Sequence, residues 1–239
     1  MKLMVIRQVT KHTGFTLLEI LVGLVITLIG VLTMVAMYQQ AGSSGAELKQ
    51  SAYIDGQIQV GLLAADRILQ NAGYKQVANI NGKPSEYVQD LMLFTKVASA
   101  GGTFTNAAGV PIASVTNSDV AGQLLVWRLD VGAGDQFEGL YAPASGGLSY
   151  WTGDSLNPTD GSWQRQSTLI PVPNNNQGIF DHVGLVTMTL SSTNTCTPFG
   201  LSGAGMTGLH AVRLSVQRVS DDTSSNNTSY TSNTCLGNF

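Results

Sequence analysis

The sequence predicts an α+β fold: one long N-terminal helix, half membrane-type and half amphipathic, packed on antiparallel β-sheet. Three observations carry this. From Phe15 to Tyr38 every residue is apolar, small or a hydroxyl, except Glu19. Helical spacing resumes further on, with Ile54, Ile58, Leu62, Ala65 and Leu69 recurring at intervals of three and four. Alternation then marks strands over Gln123–Val131 and, strictly, His210–Val219.

The apolar run comes first. At about 1.5 Å per residue it spans about 36 Å, enough to cross a hydrocarbon core of about 30 Å. A carboxylate in such a run costs about 3 kcal/mol even on lenient insertion scales. Glu19 therefore needs a partner. Lys2, Arg7, Lys11 and His12 form a basic leader that ends at Gly14, and basic flanks stay cytoplasmic, so the segment should insert with its N-terminus inside. A secretory signal cut among the small residues from Ala36 to Ala46, or an uncleaved signal anchor, also accounts for the apolar run. Neither explains why Gly14 abuts Phe15 or why Glu19 sits so early.

Gly14-Phe15-Thr16-Leu17-Leu18-Glu19 resembles the class III signal of type IV prepilins and type II secretion pseudopilins. The resemblance implies cleavage between Gly14 and Phe15 by the prepilin peptidase, N-methylation of Phe15 and retention of the apolar helix. It also implies that Glu19 pairs with the Phe15 amine of a neighbouring subunit, which neutralises two charges and sets the axial stagger. Gly23 and Gly30 either let helices approach closely or are simply tolerated in the span. Major pilins commonly carry a mid-span proline, and the residues around Ala36 contain none; this favours a minor pilin or a pseudopilin.

After Tyr38 the chain turns polar, and Gly42 and Gly45 predict a weakened or locally unwound helix. The amphipathic half should place Asp55, Gln59, Asp66, Arg67 and Gln70 mostly away from the buried face and stop at Gly73. The segment Ala65–Tyr74, ending Ala-Gly-Tyr, is similar to the point where the helix leaves for the globular domain in PilW-like minor pilins. A plain amphipathic helix with a glycine stop explains the same residues. The expected organisation is a leader over 1–14, a membrane and assembly helix over 15–38, its amphipathic half over 39–74, and a β-rich exported domain over 75–239.

In that domain Lys75–Asp119 reads as loops with one or two short elements around Val88–Val97. Leu125, Trp127, Leu129 and Val131 should share one strand face. Gly139–Tyr141 and Leu148–Trp151 should form a hairpin about Ala144–Gly147. Thr168–Val172 is demoted to an edge strand by Pro171 and Pro173. His182–Leu190 and His210–Val219 are strands, and Ser220–Asn233 reads as a solvated polar loop tethered by Cys235.

Composition narrows function. The 239 residues are only 11% charged, with 12 basic and 15 acidic side chains. Loss of the leader would remove Lys2, Arg7 and Lys11, leaving a net charge of −6 and no basic stripe for direct nucleic-acid binding. The two cysteines, Cys196 and Cys235, lie on the expected exported side, where a disulfide is the economical arrangement. No CxxC, nucleophile elbow or Walker A motif is present. No enzyme, cofactor or zinc site is therefore expected, and His182 and His210 read as strand histidines. Asp130, Asp135 and Glu138, or Asp154, Asn157 and Asp160, could offer oxygens to calcium, although neither group matches the EF-hand loop. Trp127, Tyr141, Tyr150, Trp151 and Trp163 could form an adhesive patch, with sheet core the commoner use.

The resemblance as a whole implies a PilW-like minor pilin, stored in the inner membrane and assembled at or near a pilus tip. Its expected partners are the major pilin, other minor pilins, the inner-membrane platform protein and the prepilin peptidase. A J-type secretion pseudopilin and a membrane-anchored periplasmic binding domain are the alternatives.

Overall fold

The computed structural model describes residues 14, 16–72, 91–100, 103–111, 119–130, 135–172, 181–196, 208–220 and 228–236. Among these residues one helix, α1, runs Leu17–Gln70, and ten strands follow. The chain divides into two compact units, Met1–Lys49 and Gln50–Phe239.

In the first unit α1 is unbroken. The loosening expected at 39–45 does not occur: Gln39–Gly45 are α-helical throughout. Each glycine costs about 1 kcal/mol of helix propensity, too little to interrupt a ladder already nucleated on both sides. The hydroxyls in the run turn back onto their own helix. Thr27 donates to the carbonyls of Gly23 and Leu24 at 3.0 and 2.9 Å, and Thr33 to that of Gly30 at 2.8 Å. They need no outside partner, which suits an apolar surrounding.

In the second unit residues 50–70 of α1 bury Ile54, Ile58, Leu62, Ala65 and Leu69, the stripe expected from periodicity. Gly61 lies on the same face, where a Cβ would meet the side chain of Ile170 and come within 2.5 Å of the Leu169 carbonyl oxygen. The helix thus approaches a strand backbone at a point where no side chain fits.

Two antiparallel sheets complete the unit. Strands β1 (Leu91–Ala100), β2 (Thr103–Pro111), β4 (Leu124–Asp130), β5 (Asp135–Tyr141), β6 (Leu148–Gly153) and β7 (Gln164–Ile170) form a six-stranded sheet ordered β2-β1-β4-β5-β6-β7. Strands β3 (Asp119–Gly122), β8 (Asp181–Cys196), β9 (Gly208–Ser220) and β10 (Thr228–Leu236) form a second sheet ordered β10-β9-β8-β3. The main core joins the helix stripe to one face of each sheet: Leu91, Leu93, Leu125 and Trp127 from the first, Met188, Leu190, Val212, Leu214 and Val216 from the second. The opposite face of the six-stranded sheet carries a smaller core of Phe94, Phe104, Leu124, Val126, Tyr141, Trp151 and Trp163.

The β5–β6 hairpin forms as expected, its turn closed by Gly146 and Gly147 at φ 92° and 86°; β7 is an edge strand, displaced to Gln164–Ile170. Other expectations are corrected. Leu91–Pro111, read as part of a largely irregular stretch, contains two long paired strands. Consecutive Leu91, Met92, Leu93 and Phe94 show no alternation because both faces of β1 are covered. β4 forms within the strand expected over Gln123–Val131, but both its faces are covered, with Leu124 and Val126 buried as deeply as Leu125 and Trp127. Residues 228–233 are not a solvated loop but part of β10, paired along its length with β9. Asp55 and Asp66 do not face water alone. Arg218 of β9 pairs with Asp55 at 3.0 Å and donates to Ser51 at 2.8 Å, while Thr234 of β10 donates to Asp66. Polar contacts on the flank of the helix therefore fasten it to the second sheet. The amphipathic stop at Gly73 and the Val88 boundary lie outside the described residues.

Candidate functional site

The start of α1 is built by a reciprocal cap. The Thr16 amide donates to Glu19 Oε2 at 2.9 Å and the Thr16 hydroxyl to the same oxygen at 3.2 Å. In return the Glu19 amide reaches the Thr16 hydroxyl at 3.4 Å and the Thr16 carbonyl at 3.0 Å. Thr-x-x-Glu at the first turn is the capping-box arrangement, and it sets a carboxylate at the positive end of the helix dipole. Glu19 accordingly has partners inside its own chain. Thr16-Leu17-Leu18-Glu19 carries the capping-box spacing in the sequence itself, a signal the sequence reading did not use.

Gly14 stands just before the cap, exposed, with nothing within 4 Å of a Cβ placed on it. Phe15 and the basic leader residues Lys2, Arg7, Lys11 and His12 lie outside the described residues. Beyond the cap every residue from Leu17 to Tyr38 is exposed. By length and composition this helix can cross a membrane. Gly23 and Gly30 have open space around them, so a second helix could approach at either. Further on, the outward face of the amphipathic half presents Tyr53, Val60 and Leu63 to solvent, each more than half exposed.

Cys196 of β8 and Cys235 of β10 form a disulfide with Cα atoms 5.6 Å apart, on either side of β9. The bridge holds an edge strand whose inner positions are mainly polar.

Chemistry elsewhere is accounted for by structure. Glu138 accepts from the Tyr150 phenol at 2.6 Å and from Trp127 Nε1 at 3.2 Å; burial together with that carboxylate pushes the Tyr150 phenol well above its ordinary range. Asp160 accepts from the Ser162 amide at 2.9 Å and the Ser162 hydroxyl at 2.7 Å, and also from Ser155. Burial raises its pKa, and the hydrogen bonds together outweigh it and hold the carboxyl below the ordinary value. Asn157 caps Thr159 in the same turn. The side chains of Asp130, Asp135 and His182 lie outside the described residues. Among the described residues no cluster of three or more His, Cys, Asp or Glu could hold a metal. Trp127, Tyr141, Trp151 and Trp163 are buried and Tyr150 is half-buried, so these aromatics are core and not an exposed patch. His210 is buried in β9.

Comparison of the chain with protein-family profiles, with curated proteins and with solved structures gives no match.

Proposed function

We propose that the chain is a minor type IV pilin of PilW-like type, which acts by assembly and not by catalysis. One observation carries the reading: a Gly14–Phe15 junction leads directly into a capped apolar helix that is exposed from Leu17 to Tyr38. An apolar surface of this length requires hydrocarbon or other apolar helices around it. In the membrane, lipid supplies that surrounding; in a filament, the helices of neighbouring subunits do. Cleavage after Gly14 exposes the Phe15 amine, and the Glu19 carboxylate, one turn on, is the group that a neighbour's amine would meet. Tyr53, Val60 and Leu63 extend an apolar surface along the outer side of the amphipathic half. The disulfide suits an oxidising compartment outside the cytoplasm. The partners are then the prepilin peptidase, the inner-membrane platform protein, the major pilin and other minor pilins, with a position at or near the pilus tip.

A second reading, a J-type minor pseudopilin of a type II secretion system, fits the absence of proline between Phe15 and Tyr38 as well as a minor pilin does. The deciding experiment has two stages. Intact mass and N-terminal sequencing of the protein from membranes should give a chain starting at methylated Phe15. A start at Met1, or beyond Ala36, would leave an anchored or secreted domain and end the proposal. Processed protein that travels with sheared pili supports the pilus, whereas loss of exoprotein secretion on deletion supports the secretion machine. Glu19→Ala should still be processed but enter filaments poorly.

A further inference from the structure

The aromatic-bearing face of the six-stranded sheet holds a groove that assembly through the helix does not use. It has a volume of about 250 Å³ and runs from the β5–β6 turn to the edge strand β7. Cross-strand register assembles its floor: Tyr141 lies opposite Ser149, Ser149 opposite Thr168, and Trp151 opposite Arg165. Ser149 is itself nine-tenths buried. Its hydroxyl accepts from Trp151 Nε1 at 2.8 Å and donates to the Tyr141 carbonyl at 3.4 Å. The indole and the hydroxyl are thus fixed before any ligand arrives.

The charge of the groove is distinctive. Arg165 is exposed and, among the described residues, makes no hydrogen bond or ion pair. Among the described residues no aspartate or glutamate lines the groove, in a chain whose acids outnumber its bases. The remaining polar groups are hydroxyls, from Ser99, Ser149 and Thr168 among others. A free planar guanidinium calls for a carboxylate, which it can grip through two parallel hydrogen bonds. Hydroxyls beside an indole suit a ring that itself carries several hydroxyls. The volume falls below the about 300–1,000 Å³ of sites for drug-sized ligands, so a single ring fits where a nucleotide cofactor would not.

We propose that this groove binds a carboxylated sugar residue of the uronic-acid class, with Arg165 on the carboxylate and Ser149 and Thr168 facing the ring hydroxyls. The site depends only on the β-rich unit and would operate whichever filament, if any, the helix enters.

The test is ligand-observed saturation-transfer NMR on the full chain in a phosphocholine detergent, which avoids the sugar head groups of maltosides. Sodium glucuronate is titrated against glucose, which lacks the carboxylate, and against acetate, which lacks the ring. Glucuronate should bind at least about tenfold more tightly than either, the worth of one charge-assisted hydrogen bond. Arg165→Gln should weaken glucuronate about tenfold and leave the thermal midpoint unchanged. Arg67→Gln, on the exposed side of the helix, should change nothing. Equal binding of glucose, equal binding of acetate, an Arg165→Gln variant that binds like the parent, or no glucuronate signal would each overturn the proposal.

Discussion

Gly61 and Gly56 offer the same substitution on the same helix with opposite expected signs. Replacing a helix-interior glycine by alanine gains about 1 kcal/mol of propensity. At Gly56 nothing lies within 4 Å of the new methyl, so that gain should appear almost in full. At Gly61 the methyl would sit 2.5 Å from the Leu169 carbonyl oxygen and overlap the Ile170 side chain. The first obstacle is backbone and cannot rotate away. The helix and β7 must separate by about 1 Å, and overpacking of this kind costs about 1–3 kcal/mol. The obstacle being rigid, the upper part of that range applies, and a net loss of about 1–2 kcal/mol remains after the propensity gain. For a unit of about 190 residues each kcal/mol moves the melting temperature by about 2–4 °C. Thermal unfolding of the full chain in detergent, followed by near-ultraviolet circular dichroism, should show Gly61→Ala lowered by about 2–8 °C. Gly56→Ala should be raised by about 2–4 °C. A Gly61→Ala melting temperature equal to that of Gly56→Ala would refute the argument that close approach to β7 excludes a side chain.

Two further outcomes follow from the same unit. Replacing Cys196 and Cys235 together by serine opens a loop whose ends are 39 residues apart, which the chain-entropy model values at about 4 kcal/mol; a loss below about 1 kcal/mol in urea unfolding would contradict it. His210 is buried, its Nδ1 has no hydrogen-bond partner, and burial pushes its pKa below 6.5. The unfolded chain then binds a proton more readily than the folded one, so stability complete above about pH 6.5 should decline as pH falls toward the folded value, by about 1.4 kcal/mol per unit of depression. His210→Gln should flatten the profile below about pH 6.5, and an unaltered slope there would remove His210 as its cause.

Much of this unit was legible in the sequence wherever one side of an element meets water. The Ile54–Leu69 stripe, the Val212-Leu214-Val216 alternation of β9 and the Gly146-Gly147 turn all announced themselves. β1 did not, because covering on both sides erases alternation and Leu91–Phe94 is a continuous apolar run; β4 was legible as a strand over Gln123–Val131, but not the burial of Leu124 and Val126 on its second face. β10 was missed for the opposite reason. Its inner positions Tyr230, Ser232 and Thr234 carry little apolar signal, and what seats it is the β9 ladder, the Cys235 bridge and the Asp66 contact, all distant in sequence. At the N-terminus the Gly14-Phe15-Thr16-Leu17-Leu18-Glu19 pattern was plain. What the pattern could not convey was that Glu19 turns back on Thr16, since a local hydrogen bond and an intermolecular ion pair place the same residue at the same position.

The double covering of β4 has a consequence in time as well as in space. Its residues Leu124–Trp127 are fully buried, with β1 and β5 hydrogen-bonded on its two sides. No fraying end or exposed edge gives water access to these amides short of cooperative opening of the unit. Deuterium uptake at β4 should therefore be the slowest in the chain and report the global unfolding free energy. Uptake at the edge strand β7, in the same sheet, should report only local breathing.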